Sequence, residues 1–150
     1  MSNQFGASAL ELSSHKVLAG NRIYFLDLKK TKDTGDLFLK IKEKSNKKQS
    51  VIIIEMSMIP SFIESLKEGL GPQPYSKMPE SYAKLVSSPA FDDKTLEIFA
   101  RENERGQYLN LKESYDKGIR SGISTHIMIA SEYLRQFIST LEIVSKEAGC

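Results

Sequence analysis

Tryptophan is absent from the 150 residues, and cysteine occurs once, at Cys150. A single thiol cannot close a disulfide within the chain, and it excludes a cysteine-rich zinc site. The two histidines, His15 and His126, stand far apart with no neighbouring carboxylate at a spacing that suggests a metal or a dyad. Long apolar runs are missing as well. None is longer than a run such as Val51 to Ile54, far short of the ~20 residues a bilayer span needs, and Met1 to Leu10 lacks the basic start and apolar centre of a signal peptide. These absences predict an intracellular protein with no membrane partner. The chain also has no Gly-rich loop ending in Lys-Ser or Lys-Thr, no carboxylate pair, and no nucleophile beside a base. Neither an enzyme nor a bound cofactor or metal is therefore expected.

What is present suits a globular fold. Apolar residues make up 40 % and charged residues 27 %, and a chain of this length buries roughly 68 to 70 % of its unfolded surface, enough for one core. The 21 Lys and Arg nearly balance the 19 Asp and Glu, so the whole molecule is not a polycation. Locally the balance fails: Lys29, Lys30, Lys32, Lys40, Lys42, Lys44, Lys47 and Lys48 are opposed only by Asp33, Asp36 and Glu43. A solvated strand face with a lysine-rich loop explains such a run as readily as a nucleic-acid surface does.

The same order of signals occurs twice. In the first half, Leu10 to Leu18 and Ile23 to Lys29 read as strands. Leu37 to Lys42 alternates, with Leu37, Leu39 and Ile41 on one side and Phe38, Lys40 and Lys42 on the other. Val51 to Met56 is a β-branched strand, and Pro60 to Leu70 a helix with Phe62, Ile63 and Leu66 on one face. Ser57 or Ser61 suits the cap of that helix. In the second half, Leu96 to Arg101 and Gln107 to Lys112 are strands about an Asn103 to Gly106 turn, with Leu109 and Leu111 opposite Tyr108, Asn110 and Lys112. Ile123 to Ile129 is the next strand. Ser131 to Val144 follows as a helix, with Ser131 as the expected cap. A first strand is less clear here; Tyr82 to Val86 is the candidate. Gly71 to Pro89 holds four of the five prolines and reads as a linker. One such half, a four-stranded sheet with one helix, cannot cover its own apolar face, so the two halves should associate into one α+β domain with pseudo-twofold symmetry, leaving the opposite sheet faces wet.

The residues resemble a known family at this point. Arg22-Ile-Tyr-Phe-Leu-Asp-Leu-Lys29, then Gly35-Asp-Leu-Phe-Leu-Lys-Ile-Lys-Glu43, then an apolar strand and a helix, is similar to a PUR repeat, the unit of the Pur-alpha family of purine-rich-element-binding proteins. Leu10-Glu-Leu-Ser-Ser-His-Lys-Val17 resembles the family's first strand, and Arg101-Glu-Asn-Glu-Arg-Gly-Gln-Tyr-Leu-Asn-Leu-Lys112 its second copy. The resemblance implies two intertwined ββββα repeats in one Whirly-like PUR domain of curved antiparallel sheets: repeat I about 10–71, linker about 72–93 and repeat II about 94–146. It also implies binding of single-stranded DNA and RNA, G-rich by preference, with destabilisation of duplexes. Carried over by position, Arg101, Asn103 and Arg105 hold the family's basic-Asn-Arg cluster, and Tyr108 holds the aromatic that wedges between bases. In repeat I, Lys29 and Phe38 match, but Thr31 and Asp33 stand where the Asn and Arg would be; Lys30 and Lys32 are possible substitutes.

Alternation alone selects the same faces. An aromatic flanked by cations suits single strands, because stacking a base on a ring contributes ~1 to 3 kcal/mol and Lys or Arg neutralises phosphates. Lys40, Lys42, Asn110 and Lys112 complete the expected site, with Asn103, Arg105 and Asn110 suited to bonding base edges. Each ring has an alternative, cover by the partner half or by the linker, and Asn103 is also a good turn residue. A module for protein interaction or self-association is the competing function. Monomer and homodimer both remain open. A two-repeat chain from Met1 looks more like a bacterial member than a eukaryotic one.

Overall fold

The computed structural model describes residues 9–70, 83–86, 94–115 and 121–149; the expected linker lies outside these apart from 83–86. Two four-stranded antiparallel meanders form the α+β architecture. The first contains β1 (Ala9–Ala19), β2 (Arg22–Thr31), β3 (Leu37–Lys44) and β4 (Gln49–Glu55), followed by a 3-10 turn, Met56–Met58, and α1 (Ile59–Glu68). The second contains β5 (Ala83–Val86), β6 (Lys94–Asn103), β7 (Gly106–Tyr115) and β8 (Ser124–Ala130), followed by α2 (Ser131–Glu147). The uncertain first strand of the second half is thus β5, which pairs with β6 from Ala83 opposite Ile98 to Val86 opposite Thr95. Part of the proline-rich stretch read as linker is therefore sheet.

Two-residue periodicity decides which side chains go inside. Leu26, Leu39 and Ile52 from the first sheet join Ile98, Leu111 and Ile127 from the second in one buried cluster, closed by Phe62 and Leu66 of α1 and by Leu134, Phe137 and Leu141 of α2. Each such side chain contributes about 1.5 to 3 kcal/mol on burial. Tyr24 meets Phe137 edge to face with ring centroids 5.4 Å apart. Sharp turns preserve the registers: Gly20 links Ala19 to Arg22 at a φ of 65°, a conformation that costs glycine little.

The serines do not cap the helices. Ser57 lies in the 3-10 turn and Ser61 inside α1, whose N-cap position is Met58; no side chain bonds the helix start. Ser131 is the first helical residue of α2, and the extended Ala130 before it occupies the N-cap position without a side-chain bond. Both helices follow a strand almost without a loop. They are held by their apolar stripes against the sheets, the usual source of helix stability in a folded protein.

Edge strands β4 and β8 lie against each other, where unsatisfied backbone would otherwise be buried. Two side-chain clasps at matching positions prevent this. Glu43, two residues beyond Ile41 on β3, accepts a hydrogen bond from the Met128 N–H at 3.2 Å, and the Tyr24 hydroxyl donates to the Met128 carbonyl. Glu113, two residues beyond Leu111 on β7, accepts from the Ile53 N–H at 2.9 Å, and the Lys94 ammonium donates to the Ile53 carbonyl. Arg22 lies 3.8 Å from Glu43, and Lys94 lies 3.6 Å from Glu113 and 2.5 Å from Glu55. Each repeat thus bonds through a buried acid to the edge strand of the other.

Candidate nucleic-acid interface

The face of each sheet turned away from the core carries most of the predicted residues. On the first sheet the pairing sets Phe25 beside Lys42, Asp27 beside Lys40, and Lys29 beside Phe38. Lys29, Lys40 and Lys42 are partly exposed on this face. Burial first, then the like charges of Lys29 and Lys42, push the Lys40 ammonium below its usual range. The acid in their midst, Asp27, is buried and accepts a hydrogen bond from the Ser14 hydroxyl at 2.6 Å. Lys30 and Lys32 are exposed but separate from this row: Lys30 has the opposite strand parity to Lys29, and Lys32 is in the turn after β2.

Phe38 departs from the expectation. Its side chain is on the outer face, as the alternation predicts, yet its exposure is 0 %. Its cross-strand neighbour Glu55 is buried too, ion-paired with the equally buried Lys94. A ring enclosed at this end of the face cannot receive a base as it stands. Thr31, at the place of the family's Asn, is buried in its own turn, where its hydroxyl accepts from the Asp36 N–H at 3.0 Å and bonds the Thr34 hydroxyl.

The second sheet keeps its aromatic accessible. Pairing places Arg101 opposite Tyr108, Phe99 opposite Asn110, and Glu97 opposite Lys112. Tyr108, Arg101 and Lys112 are partly exposed. The Arg101 guanidinium lies over the Phe99 ring, 4.9 Å from its centroid, and Arg101 is the cross-strand neighbour of Tyr108. Asn110 is on the same face but only 5 % exposed, and its amide nitrogen lies 3.2 Å from Nδ1 of His126. Its side chain is thus engaged by the exposed His126 rather than open at the surface. Burial, then Lys112, Arg101 and Lys48, push the His126 imidazole below its usual range. Lys48 belongs to the loop between β3 and β4, so the basic loop of repeat I approaches the face of repeat II.

At the hairpin tip, Asn103 and Arg105 are exposed. The Asn103 carboxamide oxygen accepts from the Arg105 N–H at 2.9 Å, which makes Asn103 the turn residue that its place before Gly106 suggests. Sequence reasoning missed Phe25, Phe99 and His126. The same two-residue parity that selects Lys29 and Arg101 would have placed Phe25 and Phe99 outside.

Among the described residues, no group of three or more His, Cys, Asp or Glu could hold a metal ion, and no helix is long and apolar enough to cross a membrane. The profile of the family described as PurA ssDNA and RNA-binding protein matches residues 9–147. Among solved structures, the chain is similar to WHY1 from Arabidopsis thaliana, with 19 % identity and a TM-score of 0.49 over 91 % of this chain and 84 % of that one. No curated protein sequence matches it.

Proposed function

The chain belongs to the PurA family of ssDNA- and RNA-binding proteins, and from that membership we propose that it binds single-stranded DNA and RNA, without catalysis, on the outward faces of its two sheets. The observation that carries this reading is on the second sheet: the partly exposed Tyr108 beside Arg101, whose guanidinium lies over the Phe99 ring. Rings and guanidinium planes accept unpaired bases of any identity. Lys112 there, and Lys29, Lys40 and Lys42 on the first sheet, neutralise phosphates; Lys30 and Lys32, off this row, add positive charge near the turn. Exposed Asn103 and Arg105 are suited to base edges, the contact through which a preference for G-rich strands would arise. A protein that takes single strands and not duplex draws melting toward the open form by mass action, so strand separation needs no ATP.

Fluorescence anisotropy of a G-rich single-stranded oligonucleotide across a salt series tests this. Saturable binding is expected, with log K falling against log salt at a slope near −0.7 per neutralised phosphate. Absence of saturable binding at low salt removes the proposal.

A second reading, self-association, has one observation in its favour. β1 is an edge strand, and Leu10, Leu12 and Leu18 on it are 49 %, 52 % and 62 % exposed. Light scattering after nuclease treatment separates a monomer from a homodimer.

A further inference from the structure

With Phe38 enclosed, the first sheet has no open aromatic at the family's position. It has one elsewhere. We propose that repeat I takes an unpaired base on Phe25, between Lys16 and Lys42, a site that rests on the single-strand-binding reading above. Phe25 is near the middle of β2, on the outward face, and is partly exposed. Pairing brings Lys16 of β1 to one side and Lys42 of β3 to the other. Their ammonium groups lie 5.7 Å and 5.4 Å from the ring centroid. Such contacts are weak at exposed sites, so both lysines can turn to the phosphates on either side of a base that settles on the ring.

The surroundings favour an anion. Lys40, in the next row, has its charge disfavoured first by burial and then by Lys29 and Lys42, against the opposing pull of Asp27 and Glu11; a phosphate offsets the repulsion among the lysines. Asp27, the acid paired with Lys40, is buried and accepts a hydrogen bond from the Ser14 hydroxyl. The site is also particular to repeat I. Lys112, which corresponds to Lys42, has Glu97 as its β6 partner where Lys42 has Phe25. Four residues of strand, about 13 Å, separate the row of Phe25 from the row of Phe38. The base platform of repeat I is therefore displaced along the sheet relative to the Tyr108 platform of repeat II.

Because the chain has no tryptophan, Phe25→Trp introduces its sole indole as a reporter. Titration with a G-rich single-stranded DNA oligonucleotide is expected to quench that indole saturably, at the midpoint anisotropy reports, whereas inorganic polyphosphate, which has charge but no base, leaves it unquenched. Phe25→Leu keeps the apolar bulk without the ring and is expected to weaken binding by about five-fold to a hundred-fold at unchanged unfolding midpoint. The inference fails if wild type binds and a Tyr108→Trp indole is quenched while the Phe25→Trp indole is not, or if Phe25→Leu binds as wild type; Phe25 is then apolar cover for the lysine stems. If wild type itself shows no binding, the underlying reading falls with it, which is a different result.

Discussion

Tyr108 and Phe38 occupy matching places on β7 and β3, and their surroundings assign them different work. Tyr108 is partly exposed, so Tyr108→Ala should weaken single-strand binding by about five-fold to a hundred-fold while leaving the unfolding midpoint almost unchanged. Phe38 is fully enclosed, so Phe38→Ala should cost about 3 to 5 kcal/mol of stability by the cavity it leaves, measured by urea denaturation. Strand parity made the direction of both rings legible in the sequence. Exposure was not legible, because it depends on what other parts of the fold bring to that face. Glu43 makes a separate prediction from its charge. Burial raises its carboxyl above the ordinary value of 4.5, so the folded state binds that proton more tightly than the unfolded one. Stability from this group is therefore full below about pH 4.5 and is lost as pH rises through the raised folded value. Relative to Glu43→Gln, the wild type should lose stability as pH rises above 4.5, as urea midpoints of the two proteins at each pH will show.

Among the elements, β4 and β8 set the junction of the two repeats. Each offers one backbone N–H and one carbonyl to side chains of the other repeat, at Ile53 and Met128. Lys94 is the most exposed to a test, because it bonds the Ile53 carbonyl and faces both Glu55 and Glu113 while only 2 % exposed. Lys94→Ala leaves two buried carboxylates without their counter-charge, and about 3 to 5 kcal/mol should be lost, again read from the urea midpoint. The strands themselves were legible, since aliphatic residues alternate along β3 and β7 and β-branched residues crowd β4. Their lengths were not: Lys94 precedes the apolar run that marks β6, and Glu43 and Glu113 look like solvent residues at strand ends. Their counter-charges come from the neighbouring strand, but only the crossing of two distant edges brings these acids to the backbone of the other repeat. The helix caps failed in the same way, because a stripe packed on a sheet holds a helix that no serine caps.

At the scale of the whole molecule, neither meander hides its aliphatic face alone. The buried cluster draws on both sheets and both helices, so a fragment of residues 1–70 should show no cooperative thermal transition by circular dichroism, whereas the full chain should. Pattern within the sequence was enough for the doubled strand-and-helix plan, for the inward and outward sides of each strand, and for the basic outward face, because all of these follow from the period of a pleated chain and from local charge. Folding in three dimensions decided which outward rings stay open, which acids are buried at the junction, and which cations reach them. Those outcomes depend on residues tens of positions apart meeting across two sheets, and a local period has no term for such meetings.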